Sequence, residues 1–403
     1  MYNTPQPTDV YSRLMVGAFD ERDVIGTPVG FQALFGNPMN GSKTVFSPNS
    51  ALVEIDILRG NEKIAALVQR GTDSTRNLNS KDASGEKFTT ASRVYPLGEE
   101  EDVITADQLN FRSFGENPYA QAEKVQRLRK LALDNHKEHI RRFVRMNEVL
   151  ASQSALTGKM DAIIGTSNAN LQYDFRRKAS HTFTPAVKWD QGAATIMADI
   201  DVGCELVRAD AKVNPDYAVM GGLAIDAMIG NTAFQAKADN RRFELIQVTK
   251  DNPVPERFSR IVDAGFTARG RLRTSKGYEL WLFSYVDGYE NSAGSFTKYM
   301  PEDQVLIGSS MARADRYFGP DEHLPNSQSR IDIMTGMFGI QNPATLAMPE
   351  IKGASDIISP LMFSYDIYPH HNNKGIVTRT QTAPIFATTM TDAFVTLTGL
   401  ITP

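Results

Sequence analysis

The sequence predicts an α+β protein. Three observations lead there: a helical stretch from about 118 to 157 that no glycine or proline interrupts, strand-type alternation ahead of it, and a mixed helix–strand segment at 190–355 that gives way to a strand-rich tail. At 403 residues, with 41% hydrophobic and 22% charged side chains, the chain has room for two or three domains and for a large core.

Residues 1–50 are rich in Pro, Gly and Asn and sustain no period, so they read as an extended arm with one short helix. In Val53-Glu54-Ile55-Asp56-Ile57 the apolar residues fall on one face and the acids on the other, the pattern of a half-buried strand. Ile64, Ala66 and Val68 continue that period beyond a turn at Arg59-Gly60-Asn61-Glu62. From Arg70 to about residue 110 the chain is polar and carries the acidic run Glu99-Glu100-Glu101-Asp102, which reads as a projecting loop or a disordered stretch.

The long helix follows. Asn117-Pro118 supplies a cap and a first-turn proline, and Gly158 stands where a helix stops. Val125, Leu128, Ala132, Ile140, Phe143 and Leu150 form one apolar stripe. Forty residues of helix reach about 60 Å, more than a small domain spans, so part of it must lie on something else. The same stretch holds eight basic side chains (Lys124, Arg127, Arg129, Lys130, Lys137, Arg141, Arg142, Arg145) against four acids. Such a face is either simply solvated or a surface for another body. Beyond it, 193–208 and 223–229 suit helices, whereas 217–220, 278–286 and 304–308 are apolar strands. The tail at 375–400, rich in Thr, Val and Phe, reads as further strands.

Little in the chain points to a reaction. With 43 basic and 47 acidic residues the net charge is -4, which gives no global attraction to nucleic acid. Cys204 is the only cysteine, so an intrachain disulfide and a cysteine-cluster zinc site are excluded, and a reducing cytoplasm is the natural place of synthesis. No signal peptide is visible at Met1-Tyr2-Asn3, and nowhere do 18 apolar residues run together, so no membrane is expected. Gly221-Gly222, the segment Gly265 to Gly270 and Thr157-Gly158-Lys159-Met160 lack the spacing of a phosphate cradle and read as turns. Of the histidines His136, His139, His181, His323, His370 and His371, the first two are three apart but lack the metalloprotease pattern, and His370-His371 lies in a polar turn. No Gly-x-Ser-x-Gly elbow is present. No catalytic residue, metal or cofactor is therefore expected, and the chain is not expected to be an enzyme.

Several stretches carry a resemblance. Ala65-Ala66-Leu67-Val68-Gln69-Arg70-Gly71, Leu150 to Lys159, Trp189 with Asp199-Ile200, Asn214-Pro215-Asp216-Tyr217-Ala218-Val219-Met220-Gly221, Thr382-Ala383-Pro384-Ile385-Phe386 and Asp392-Ala393-Phe394-Val395-Thr396-Leu397 occur in that order. Together they resemble the lambda-like major capsid protein E family of tailed phages, and the segment order is similar to the Hong Kong 97-type capsid fold. Residues 310–370, with six prolines, are longer than the family pattern.

The resemblance implies an N-terminal arm and first strand at 1–58 and an extended loop at 59–113. A peripheral domain with a spine helix follows at 114–190, then an axial domain at 191–355 and returning peripheral strands at 356–403. It implies a subunit that self-assembles as hexamers and pentamers into an icosahedral shell around double-stranded DNA held without sequence-specific contact. A separate scaffold protein, a portal and a decoration protein would be partners, the shell would be made in the host cytoplasm, and an encapsulin-like compartment is the alternative. Candidate subunit contacts are Arg70, Arg76, Lys81, Lys87, Arg93, Glu99, Glu100 and Glu101 in the loop. Arg127, Arg141, Arg142 and Arg145 are their counterparts on the helix, which would face a neighbour's acidic loop or the lumen. No motif singles out a Lys–Asn pair, so no cross-link is expected.

Overall fold

The computed structural model describes residues 29–46, 52–58, 87–105, 107–108, 121–164, 169–238, 243–244, 254–290, 294–319, 364–369 and 375–402. Ile64, Ala66 and Val68, the Asn117-Pro118 cap, His323, His370 and His371 lie outside them, as do Arg70, Arg76 and Lys81.

The described residues open with a 3-10 turn at Gly30–Leu34, then β1 (Thr44–Phe46), β2 (Leu52–Asp56), β3 (Lys87–Val94) and β4 (Gly98–Thr105). The long helix α1 (Gln121–Thr157) leads into the hairpin of β5 (Lys159–Ile164) and β6 (Ala169–Asp174). Next come β7 (Thr182–Phe183), α2 (Ile196–Ala211), β8 (Tyr217–Met220), α3 (Gly222–Gly230), α4 (Thr232–Ala238) and β9 (Phe243–Glu244). Helix α5 (Ser259–Asp263) precedes β10 (Thr267–Arg273), β11 (Glu279–Ser284), β12 (Gly288–Glu290), β13 (Phe296–Lys298), β14 (Val305–Gly308) and β15 (Asp315–Phe318). The last strands are β16 (Ser364–Pro369), β17 (Gly375–Thr382), β18 (Pro384–Ala387) and β19 (Val395–Leu397). The expected helices and strands of the 190–355 segment are present with ends shifted by a few residues.

A seven-stranded mixed sheet, in the order β7-β19-β14-β8-β11-β10-β9, is the centre of the fold. Its middle strands read as continuous apolar runs because both faces are covered. Tyr217 and Val219 of β8 face one core with Trp281, Phe283 and Leu306. Ala218 and Met220 face a second core with Leu280, Leu282, Ile307, Val395 and the α2 residues Ile200, Cys204 and Val207. The period of two thus splits one strand between two cores. Gly203 of α2 lies so close to the sheet that an added Cβ would stand 2.6 Å from Ile307 Cδ1.

Two three-stranded sheets, β1-β15-β18 and β16-β17-β4, tie the first strands to the last ones. In β17 every residue is buried. Strand β4 pairs with β17 along its whole length, from Gly98 opposite Thr382 to Thr105 opposite Gly375. This differs from the sequence expectation, which placed the acidic run in a projecting loop. Composition alone misleads there: alternation puts Glu99 and Glu101 on the exposed face of β4, while Glu100 and Asp102 share the other face with Ile104, which is 1% exposed.

Helix α1 is 37 residues long, about 56 Å at 1.5 Å per residue. Gly158, at φ +69°, ends it in the left-handed conformation that glycine adopts without penalty. Of the apolar stripe expected from sequence, Leu128, Ala132, Ile140, Phe143 and Leu150 are buried. The ribbon β2–β3 is a two-stranded sheet of its own, with Val53 and Ile55 buried on one face.

Candidate assembly surface and the helix that carries it

Helix α1 is held differently at its two ends. At the C-terminal end the last carbonyls of the helix have no partner within the helix. The guanidinium of Arg177 supplies one, donating to Ser154 O (3.2 Å), Ala155 O (2.6 Å) and Leu156 O (2.8 Å). A fixed cation at a helix C-terminus also complements the macrodipole. Burial lowers the Arg177 pKa to about 9, while the charge of Asp392 opposes that shift. From the central sheet, Thr396 Oγ1 donates to Leu156 O (2.6 Å), so the helix end is joined directly to β19.

One to three turns earlier, Glu148 projects into the core and anchors the N-terminal arm. Its carboxyl accepts from Phe31 N–H (2.5 Å) and Gln32 N–H (3.2 Å) at the start of the 3-10 turn. Gln32 Nε2 donates to Val144 O (3.0 Å) on the same helix. Burial raises the Glu148 pKa to about 8, with the amide hydrogen bonds only partly offsetting the loss of water. Gly30, at φ +51°, leaves no room for a Cβ between Glu148 Oε1 and the Tyr285 hydroxyl.

The N-terminal half rests on β4 and β17. Here His136 Nδ1 (2.8 Å) and His139 Nδ1 (3.0 Å) converge on Thr380 Oγ1, and His139 Nε2 meets Asp102 Oδ2 at 3.0 Å. One arrangement satisfies all three contacts. His139 gives its Nε2–H to Asp102 and accepts the Thr380 hydroxyl, which in turn accepts His136 Nδ1–H. Burial, with the nearby His139 adding to it, lowers the His136 pKa to about 3. Asn135 Nδ2 donates to Thr378 Oγ1 (3.0 Å) beside this pair. The two histidines therefore serve packing here, and among the described residues no group of His, Cys, Asp and Glu is arranged to hold a metal ion.

The solvent side of the same half is basic. Lys130, Lys137, Arg141, Arg142 and Arg145 are exposed, together with Asp134. Arg142 pairs with Glu100 of β4 (3.1 Å) and with Glu138 (3.7 Å), and Arg141 reaches Glu138 at 3.5 Å. Glu99 pairs with Arg379 of β17 at 3.2 Å. Within the chain, Glu100 thus meets Arg142, one of the expected helix cations, and Glu99 meets Arg379, which the sequence reading did not single out. Glu101 is exposed on β4 and Arg127 half-buried on α1. Lys87 and Arg93, placed in the polar loop by the sequence reading, lie on strand β3 and are described by their backbone alone.

Arg177, Glu148 and Thr380 were not singled out from sequence. Glu148 had a signal: it falls eight residues after Ile140, in phase with the buried stripe, where a carboxylate is out of place. Nothing in Arg176-Arg177-Lys178 separates the buried arginine from its neighbours. Cys204 is buried against the sheet, where loss of water raises its thiol pKa and Asp201 and Glu205 add to the effect. Trp189, one of the residues that carried the resemblance, is fully buried and donates from Nε1 to Asp199 Oδ2 (3.0 Å).

Comparison with known proteins agrees with this architecture. The profile of the phage major capsid protein E family matches residues 47–398. The chain is 24% identical over 212 residues to the P21 prophage-derived major head protein of Escherichia coli O6:H1, and equally to the major capsid protein of Enterobacteria phage P21. Those alignments cover 51% of this chain and 56% of each relative, so the chain spans about half the length of the curated relatives it matches. A crystal structure of a capsid protein of an E. coli CFT073 prophage superposes with a TM-score of 0.60 at 16% identity, covering 97% of this chain and 98% of that one. The fold is therefore of the Hong Kong 97 type, α+β as expected. No described helix is long and apolar enough to cross a membrane. By the span of the family match, the chain belongs to the phage major capsid protein E family.

Proposed function

We propose that this chain is the major head subunit of a tailed phage and that copies of it assemble as hexamers and pentamers into an icosahedral shell around double-stranded DNA. The observation that carries the reading is the family match over residues 47–398. Physical features support it. The ribbon β2–β3 pairs with no further strand among the described residues, and two-stranded sheets are marginal in water unless something covers them. Val53 and Ile55 already lie in the main core of their own chain, so it is the ribbon's edges, unpaired among the described residues, that a neighbouring copy would cover, and each modest contact repeats many times in a closed shell.

On this reading the extended loop spans 59–113 less the β4 portion paired with β17, and the axial domain spans 191–355. Arg70, Arg76, Lys81, Lys87 and Arg93 would contact the next subunit. A separate scaffold, a portal and an outer decoration protein complete the particle, which forms in the host cytoplasm. The role is structural, without catalysis, cofactor or metal. An encapsulin-like compartment is disfavoured because the sequence match is to phage head proteins.

Electron microscopy and velocity sedimentation of the purified protein, alone and co-expressed with its scaffold, test the proposal. Closed shells or capsomers are expected. A uniform monomer under every assembly condition would overturn it.

A further inference from the structure

We propose that the exposed line Lys130, Lys137, Arg141 and Arg145 on α1 is a binding surface for the phosphate backbone of the packaged DNA. The inference rests on the shell reading and deepens it by naming where the chain meets its contents.

The spacing comes from the helix itself. Successive residues turn by 100°, so positions 130, 137, 141 and 145 stay within about 80° of one another around the axis. They rise about 22 Å along it, with roughly one cation per turn from 137 onward. All four side chains are exposed, and Asp134 is the one acid among them. Glu138, half-buried beside the line, takes Arg141 at 3.5 Å and Arg142 at 3.7 Å. Among the described residues, Lys130, Lys137 and Arg145 form no ion pair.

Two occupants were conceivable from sequence, a neighbour's acidic run or the DNA. The structure favours the second. Glu99 and Glu100 of that run are engaged on Arg379 and Arg142 of their own chain. Breaking those pairs to make the same contacts in trans would gain little, since exposed pairs contribute about 0–1 kcal/mol each. A duplex offers one negative charge per about 1.7 Å of axis, and a row of cations binds it by releasing condensed counterions. The overall charge of -4 does not oppose this, because the effect is local and screened within about 10 Å. A single row on an otherwise acidic protein also suits a lining that must touch DNA without immobilising it.

The test uses the full-length, unassembled protein and a random-sequence duplex, with binding measured across a salt series. Neutralising Lys130→Gln, Lys137→Gln and Arg145→Gln together should flatten the slope of log affinity against log salt by about 2.7, at about 0.9 per lost phosphate contact. Wild type would then lose roughly fortyfold more affinity than the variant over a fourfold rise in salt. A control set off the line, Arg257→Gln, Arg271→Gln and Lys276→Gln, should leave the slope near that of wild type. Equal loss in both sets, or no loss in the first, overturns the inference. So does failure of the first variant to form shells when its circular dichroism and melting match wild type, because the row would then be a subunit interface. If wild type binds the duplex as described yet never forms shells, it is the shell reading that falls.

Discussion

The two halves of helix α1 solve the same problem by opposite means. The C-terminal half is enclosed by its own chain: Leu150, Ala151 and Ala155 lie in the main core, Arg177 closes the last turn and Thr396 joins it to the central sheet. The N-terminal half lies on one sheet only, with a small apolar cluster of Leu128, Ala132, Ile104 and Ile376, a buried polar seam and a basic outer face. One end is fixed by the subunit. The other is left with surface to offer, as the proposed shell subunit would need. The comparison teaches that the length of the helix, excessive for one domain, is divided between holding the fold and presenting contacts.

The difference can be broken most severely at Arg177. Arg177→Met should cost about 3 kcal/mol or more in a denaturant melt, because three carbonyls and Asp392 lose their buried charged partner. Gly30→Ala comes next: the left-handed backbone and the collision with Glu148 should cost roughly 1–3 kcal/mol and loosen the turn at Gly30–Leu34, read as faster amide exchange there.

The pH dependence separates the halves. Glu148 has a folded pKa raised from 4.5 to about 8, so its contribution is complete below 4.5 and is lost as pH rises towards 8. His136 has a folded pKa lowered from 6.5 to about 3, so its contribution is complete above 6.5 and is lost as pH falls towards 3. From these two groups, stability should fall on both sides of a plateau between 4.5 and 6.5, at up to roughly 1.4 kcal/mol per pH unit. Glu148→Gln should remove the alkaline limb and leave the acid one, and His136→Gln should do the reverse. Loss of both limbs from either variant would contradict the assignment of one limb to each group. The smallest effect belongs to the surface: Glu100→Gln should change stability by no more than about 0.5 kcal/mol, since the Arg142 pair is exposed.

Much of the architecture was legible because it rests on local pattern. The helix end at Gly158, the alternation of β2 and the apolar strands β8, β11 and β14 each declare themselves within a few residues. The acidic run was misplaced because a strand that is polar on one face and shares its other face with a helix resembles a loop in composition. The helix stripe was found but left incomplete, since His136, His139, Asn147 and Glu148 are buried on a face that hydrophobicity alone assigns to solvent. Their partners Thr380, Phe31 and Gln32 are more than a hundred residues distant, beyond the reach of any local spacing.

Hydrogen exchange, compared between free subunits and assembled particles, bears most directly on the claim that one copy cannot complete its own surface. Amides of β2 and β3 should gain strong protection on assembly, while residues 150–157 of α1, already closed by Arg177, should change little. Ribbon amides as slow in the isolated subunit as in the particle would contradict it.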